Sequence, residues 1–148
     1  MEAVRGLGEI YFGRGRVTEA EGYFRQAIAV GQEGIDEADL TDRRALVRLY
    51  HCLGKVLWWQ NRPDEMMSLG EAGSTLLGKD TEFVEAALMN AQLGAAYWSK
   101  GENQKYRMFA SRNAQFIDRL PYAEELRRTY EHIFHAHVHA KNVEEALT

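Results

Sequence analysis

The chain has 148 residues, 45% of them hydrophobic and 27% charged, with two prolines, one cysteine and a net charge of -4. These values fit one helix-rich domain and exclude long disorder, a cysteine-rich zinc site and an intrachain disulfide. A pI of about 5.7 argues against a nucleic-acid binder, and no apolar run is long enough to span a membrane. The start, Met-Glu-Ala-Val-Arg-Gly, lacks the apolar core of a signal peptide, so a cytoplasmic location is expected.

Apolar residues recur at three-and-four spacing throughout, and sustained strand alternation is absent. Val4, Leu7 and Tyr11 mark a first face, Ala20, Phe24, Ala27 and Ile28 a second. Leu46, Leu49, Tyr50, Leu53 and Leu57 mark the next. Leu88, Ala91, Ala95 and Trp98 follow, then Leu126, Tyr130, Ile133 and His137. Between them lie breaks such as Gly13-Arg14-Gly15-Arg16, Asn61-Arg62-Pro63, Gly101-Glu102-Asn103 and Lys141-Asn142. The spacing predicts helices at about 2–13, 17–33, 38–60, 63–77, 81–100, 103–118 and 121–140, with a stub from 143. Pro63 and Pro121 suit first helical turns, and Asp80 and Thr81 suit N-caps. Long helices joined by short breaks predict antiparallel hairpins.

Self-comparison reveals a repeat. Leu7-Gly8-x-x-Tyr11 recurs as Leu53-Gly54-x-x-Leu57 and as Leu93-Gly94-x-x-Tyr97. Seven residues beyond each glycine stand Gly15, Asn61 and Gly101, all turn formers. A fourth unit reads Ile133-Phe134-x-x-His137, with Lys141 in the turn and Glu145-Ala146 at its close. Successive units are displaced by 46, 40 and 40 residues, from position 8 to 54, 94 and 134. The pattern resembles the tetratricopeptide repeat, which Leu7 through Ala27 carries in full except for Val4 in place of the leading tryptophan. Repeat two substitutes Met66, Gly70 and Gly73 for Ala20, Phe24 and Ala27. A period above the usual 34 residues is similar to the helical arrays of large bacterial signalling ATPases, cyclases and transcription activators.

The resemblance implies an all-α, right-handed α-α superhelix, an α-solenoid of about 3.5 hairpins. They form a single tetratricopeptide-repeat domain over 1–148, with repeats at about 1–36, 38–78, 81–119 and 121–148, the last incomplete. It also implies a non-catalytic scaffold that binds a peptide or protein segment in its concave groove. The alternative is a regulatory or oligomerising segment of a larger signalling protein.

The residues offer no competing chemistry. Gly6-Leu7-Gly8 and Gly13-Arg14-Gly15 follow no strand and lack a third glycine, so neither is a dinucleotide fingerprint. The serines at 68, 74, 99 and 111 have no local histidine–carboxylate partner. His132, His135 and His139 share a helix face, but seven residues of helix rise about 10.5 Å, too far for His132 and His139 to ligate one ion beside His135. No catalytic group, metal or cofactor is expected.

By repeat register the groove takes Arg5 and Phe12 from unit one, and Arg48, His51, Lys55, Trp58 and Trp59 from unit two. Unit three adds Trp98, beside Ala91, Gln92 and Ala95; unit four adds Arg128, His132, His135 and His139. All three tryptophans are in this set, with the aromatic and arginine character typical of binding hot spots. The family's carboxylate clamp does not fit: only Arg5 could replace a clamp base, while Glu9, Cys52, Leu88 and Gln92 hold the other positions. Binding is expected to centre on Trp58, Trp59 and Trp98 beside Arg48 and Lys55. An acidic ligand should be favoured as the histidines charge below about pH 6.5. Tyr130, Ile133, Phe134, His137 and Val138 form an apolar terminal face that predicts a homodimer. Neither nucleic acid nor membrane is an expected partner.

Overall fold

The computed structural model describes residues 2–79, 83–121 and 123–146. Seven α-helices run in order: α1 (Glu2–Gly13), α2 (Val17–Gln32), α3 (Leu40–Trp59), α4 (Pro63–Leu77), α5 (Val84–Ser99), α6 (Asn103–Ala114) and α7 (Arg127–Ala146). Short 3-10 turns lie at Ile35–Glu37, Ile117–Arg119 and Glu124–Leu126. The described residues contain no strand. Each helix packs on the next, and α3 also packs on α5, and α5 on α7. Hairpins α1–α2, α3–α4 and α5–α6 therefore stack as a helical solenoid, as the repeat implied.

The turn inside each hairpin is the same structure three times. Gly15, Asn61 and Gly101 all adopt positive φ, at 76°, 54° and 78°. In each turn the next residue's N–H donates back to the helix that has just ended. Arg16 bonds the Tyr11 carbonyl, Arg62 that of Leu57 and Glu102 that of Tyr97, each at 2.9 Å. This closure needs a left-handed residue at one position, where glycine or asparagine costs least. The corresponding fourth position is Lys141, and no turn forms there. The helix continues to Ala146, so the expected stub from 143 is part of α7.

Two other boundaries differ from expectation. Helix α6 stops at Ala114 rather than 118, because the chain bends inward to bury Phe116 and Ile117. Pro121 does not open a helix. Leu120 before it is extended, as a pre-proline residue prefers, and Ala123 is extended too, so α7 begins only at Arg127. Pro63 does occupy the first turn of α4, and Asp39 caps α3 by accepting the Asp42 N–H at 2.9 Å. The expected caps Asp80 and Thr81 lie outside the described residues.

Packing explains why the repeat can degenerate without losing its core. In hairpin one, Phe24 of α2 presses its ring onto Gly8 of α1; a Cβ there would stand 2.6 Å from the ring. In hairpin two the bulk comes from the following hairpin. Gly70 and Gly73 of α4 receive Leu93 and Met89 of α5. The side chain missing from one helix is supplied by its neighbour, so interior density is kept.

Candidate functional site

The inner helices α3, α5 and α7 enclose a cavity of about 380 Å³. That volume lies within the range of sites that bury a small ligand or an anchoring side chain. Its walls include His51, Lys55, Trp58 and Trp59 from α3, Ala91, Gln92 and Ala95 from α5, and Arg128 and His132 from α7. The space exists because Ala91 and Ala95 are small and stand on the helix facing two tryptophans. Trp58 and Trp59 are 39% and 65% exposed. Large apolar side chains left this open commonly mark binding surfaces.

The cavity's charge follows from its ion pairs. Glu125 accepts from Arg48 at 2.7 Å, and Glu131 lies 3.3 Å from Arg127. Those carboxylates are spent. Lys55 and Arg128 have no carboxylate partner among the described residues, and Lys55 instead lies 5.5 Å from the centre of the Phe12 ring. The cavity is therefore net cationic. His51 responds to that field: burial, with Lys55, Arg128 and Arg48 nearby, pushes its imidazole down to about 3. His132 is also lowered, by burial and by Arg128. In the free protein His51 is thus neutral at pH 6.5, and the positive charge belongs to Lys55 and Arg128 rather than to the histidines.

Gln92 supplies the remaining polar group. Its Nε2 donates to the Met66 carbonyl at 3.1 Å, whereas its Oε1 is buried with no donor. The carboxamide sits against Gly54, where any Cβ would collide with it. His132 Nδ1 is likewise buried and unpartnered.

Nine of the residues placed in the groove by register thus meet at one cavity: His51, Lys55, Trp58, Trp59, Ala91, Gln92, Ala95, Arg128 and His132. The others do not reach it. Arg5 bonds Glu2 at 2.8 Å on its own helix, and Phe12 packs beneath Lys55. Arg48 is a structural clip joining α3 to Glu85 of α5 and to Glu125. Burial alone would raise the Glu85 carboxyl, but its own backbone N–H, Arg48 and Arg44 hold it below the usual range.

Trp98 is packed, not presented. Its ring lies 5.1 Å from Tyr106, 4.9 Å from His135 and 5.3 Å from His139, with both imidazoles edge-on. The Tyr106 hydroxyl lies 3.0 Å from both the His132 carbonyl and His135 Nδ1. His135 and His139 therefore close a helix junction instead of lining a groove. His137, expected to pack, is exposed.

Register places Gln92 in the groove, where the structure also has it, but says nothing of its unfilled acceptor. The overlooked signal was Gly54: a glycine inside a helix asks what larger group approaches it.

A family model described as tetratricopeptide repeat matches residues 3–34. This segment holds α1, α2 and the Gly8–Phe24 contact. Neither a curated protein nor a solved structure matches the chain. The matched first hairpin, the thrice-repeated turn and the consecutive stacking of helices support a tetratricopeptide-repeat assignment.

Proposed function

We propose that this chain is a non-catalytic protein-interaction module that holds an acidic peptide or protein segment on the face formed by α3, α5 and α7. Repeats of this family generally mediate protein–protein interaction. The observation that carries the reading is the cavity in which uncompensated Lys55 and Arg128 lie beside exposed Trp58 and Trp59. Aromatic anchors flanked by a cation are the usual composition of an interface hot spot. The permanent charges favour an anionic partner and speed its approach. Selection from a displayed peptide library tests this. Enrichment should yield acidic sequences, and Trp59→Ala should lose their binding while circular dichroism stays helical. Enrichment that is indifferent to Trp59→Ala and to Lys55→Met would refute the assignment.

A second reading rests on the outer face of α7, where Phe134 is 71% exposed and Tyr130 is also open. A second copy covering this face would make the chain an oligomerising segment, as suits a part of a larger cytoplasmic signalling protein. Light scattering of the wild type and Phe134→Glu tests it. A dimer that becomes monomeric supports the reading, and a wild-type monomer at high concentration ends it.

A further inference from the structure

We infer that the cavity between α3, α5 and α7 is a subsite for one acidic residue of the bound segment, recognised at two points. The carboxylate is taken by Lys55 and Arg128, and a main-chain N–H of the same segment is taken by Gln92 Oε1. The inference rests on the groove reading above and adds a specific residue and a specific pair of groups to it.

Charge is the first ground. Every carboxylate lining the cavity is already paired, Glu125 with Arg48 and Glu131 with Arg127, so the two free cations call for an anion from outside. A bare anion would leave the second ground unexplained. Gln92 is 5% exposed, its Nε2 is committed to the Met66 carbonyl, and its Oε1 is buried without a donor against Gly54, itself a wall residue of the cavity. Buried acceptors in native proteins are almost always paired. The occupant should therefore bring an N–H as well as a negative charge, which an acidic residue within a polypeptide does. Gly54 makes room for this acceptor, since any side chain at that position would displace the carboxamide. Trp58 and Trp59 then flank the stem and neighbouring residues of the segment. His51 and His132 also line the cavity, and burial together with Arg128 lowers both imidazoles.

The test is a titration of the isotope-labelled, full chain with N-acetyl-glutamate N-methylamide, followed by NMR at the Gln92 side-chain amide and the Trp58 and Trp59 indoles. N-acetyl-glutamine N-methylamide and acetate serve as controls. The capped glutamate should saturate these signals, with each control weaker by about tenfold, equivalent to about 1.4 kcal/mol. Lys55→Met with Arg128→Met should remove saturation. Gln92→Met should keep the acetate response but erase the advantage of the capped residue over acetate. Equal binding of the glutamine and glutamate probes would overturn the carboxylate assignment. An unchanged preference in Gln92→Met would overturn the amide contact. If the capped residue fails to saturate while displayed peptides still require Trp59, the subsite is wrong and the groove reading survives. If the capped residue binds as described but no polypeptide is ever selected, the subsite is right and the groove reading fails.

Discussion

The C-terminal ends of α3 and α5 carry tryptophan at the same repeat position, yet Trp58 opens onto a cavity and Trp98 is half-buried against other rings. The difference lies in what the following inner helix brings opposite. Facing Trp58 and Trp59, α5 presents Ala91 and Ala95, which leave space. Facing Trp98, α7 presents His135 and His139, whose rings fill it. In a stacked repeat, the exposure of a residue is decided by its neighbour about 40 positions ahead as much as by its own register.

The sharpest way to break this comparison is to truncate both rings. Trp98→Ala empties a packed junction and should cost roughly 3 kcal/mol in urea unfolding. Trp59→Ala removes an exposed ring and should change stability by less than about 0.5 kcal/mol. Equal losses would show that both tryptophans are packing residues. Gly54→Ala comes next. Its methyl collides with Gln92, and overpacking at about 1–3 kcal/mol, offset by about 1 kcal/mol of helix propensity, should leave a net loss of roughly 1–2 kcal/mol. The same substitution should weaken ligand binding.

Acid sharpens the comparison from the electrostatic side. The folded His51 imidazole titrates near 3, below the unfolded value of about 6.5, so the unfolded chain binds the extra proton between those limits. Its contribution is complete above pH 6.5 and is lost as pH falls toward 3. Burial sets this behaviour first, reinforced by Lys55 and Arg48 from α3 and by Arg128 and His132 from α7. His51→Gln should flatten that part of the stability–pH curve, and an unchanged slope would show that the imidazole is neither buried nor within the cationic field. The smallest effect is a gain. Gly22 lies in α2 with open space around it, so Gly22→Ala should stabilise by about 0.5–1 kcal/mol. The contrast with Gly54 separates a tolerated helix glycine from one that a neighbour requires.

The hairpins were legible because their signals are local. Gly15, Asn61 and Gly101 announce the left-handed turn directly. The α6–α7 segment was harder to read because its course is set by burial of Phe116, Ile117 and Leu126, which no short motif encodes. At the site, nine wall residues follow from register, but Trp58 and Trp98 cannot be told apart by it, since each fate depends on a helix distant in sequence. Arg48 was misplaced for the same reason: its partners, Glu85 and Glu125, lie 37 and 77 residues away. The unfilled acceptor of Gln92 is not legible in the sequence, because it is visible only once every neighbour is placed.

Crosslinking from the peptide to the unaltered protein tests the central claim most directly. A peptide selected by display, carrying a photo-activated diazirine, is irradiated with the wild-type chain and its adducts are located by mass spectrometry. Binding on the face of α3, α5 and α7 predicts adducts on the cavity walls, among them Trp58, Trp59 and Arg128, and none on Phe134. Adducts at Phe134 alone would contradict it.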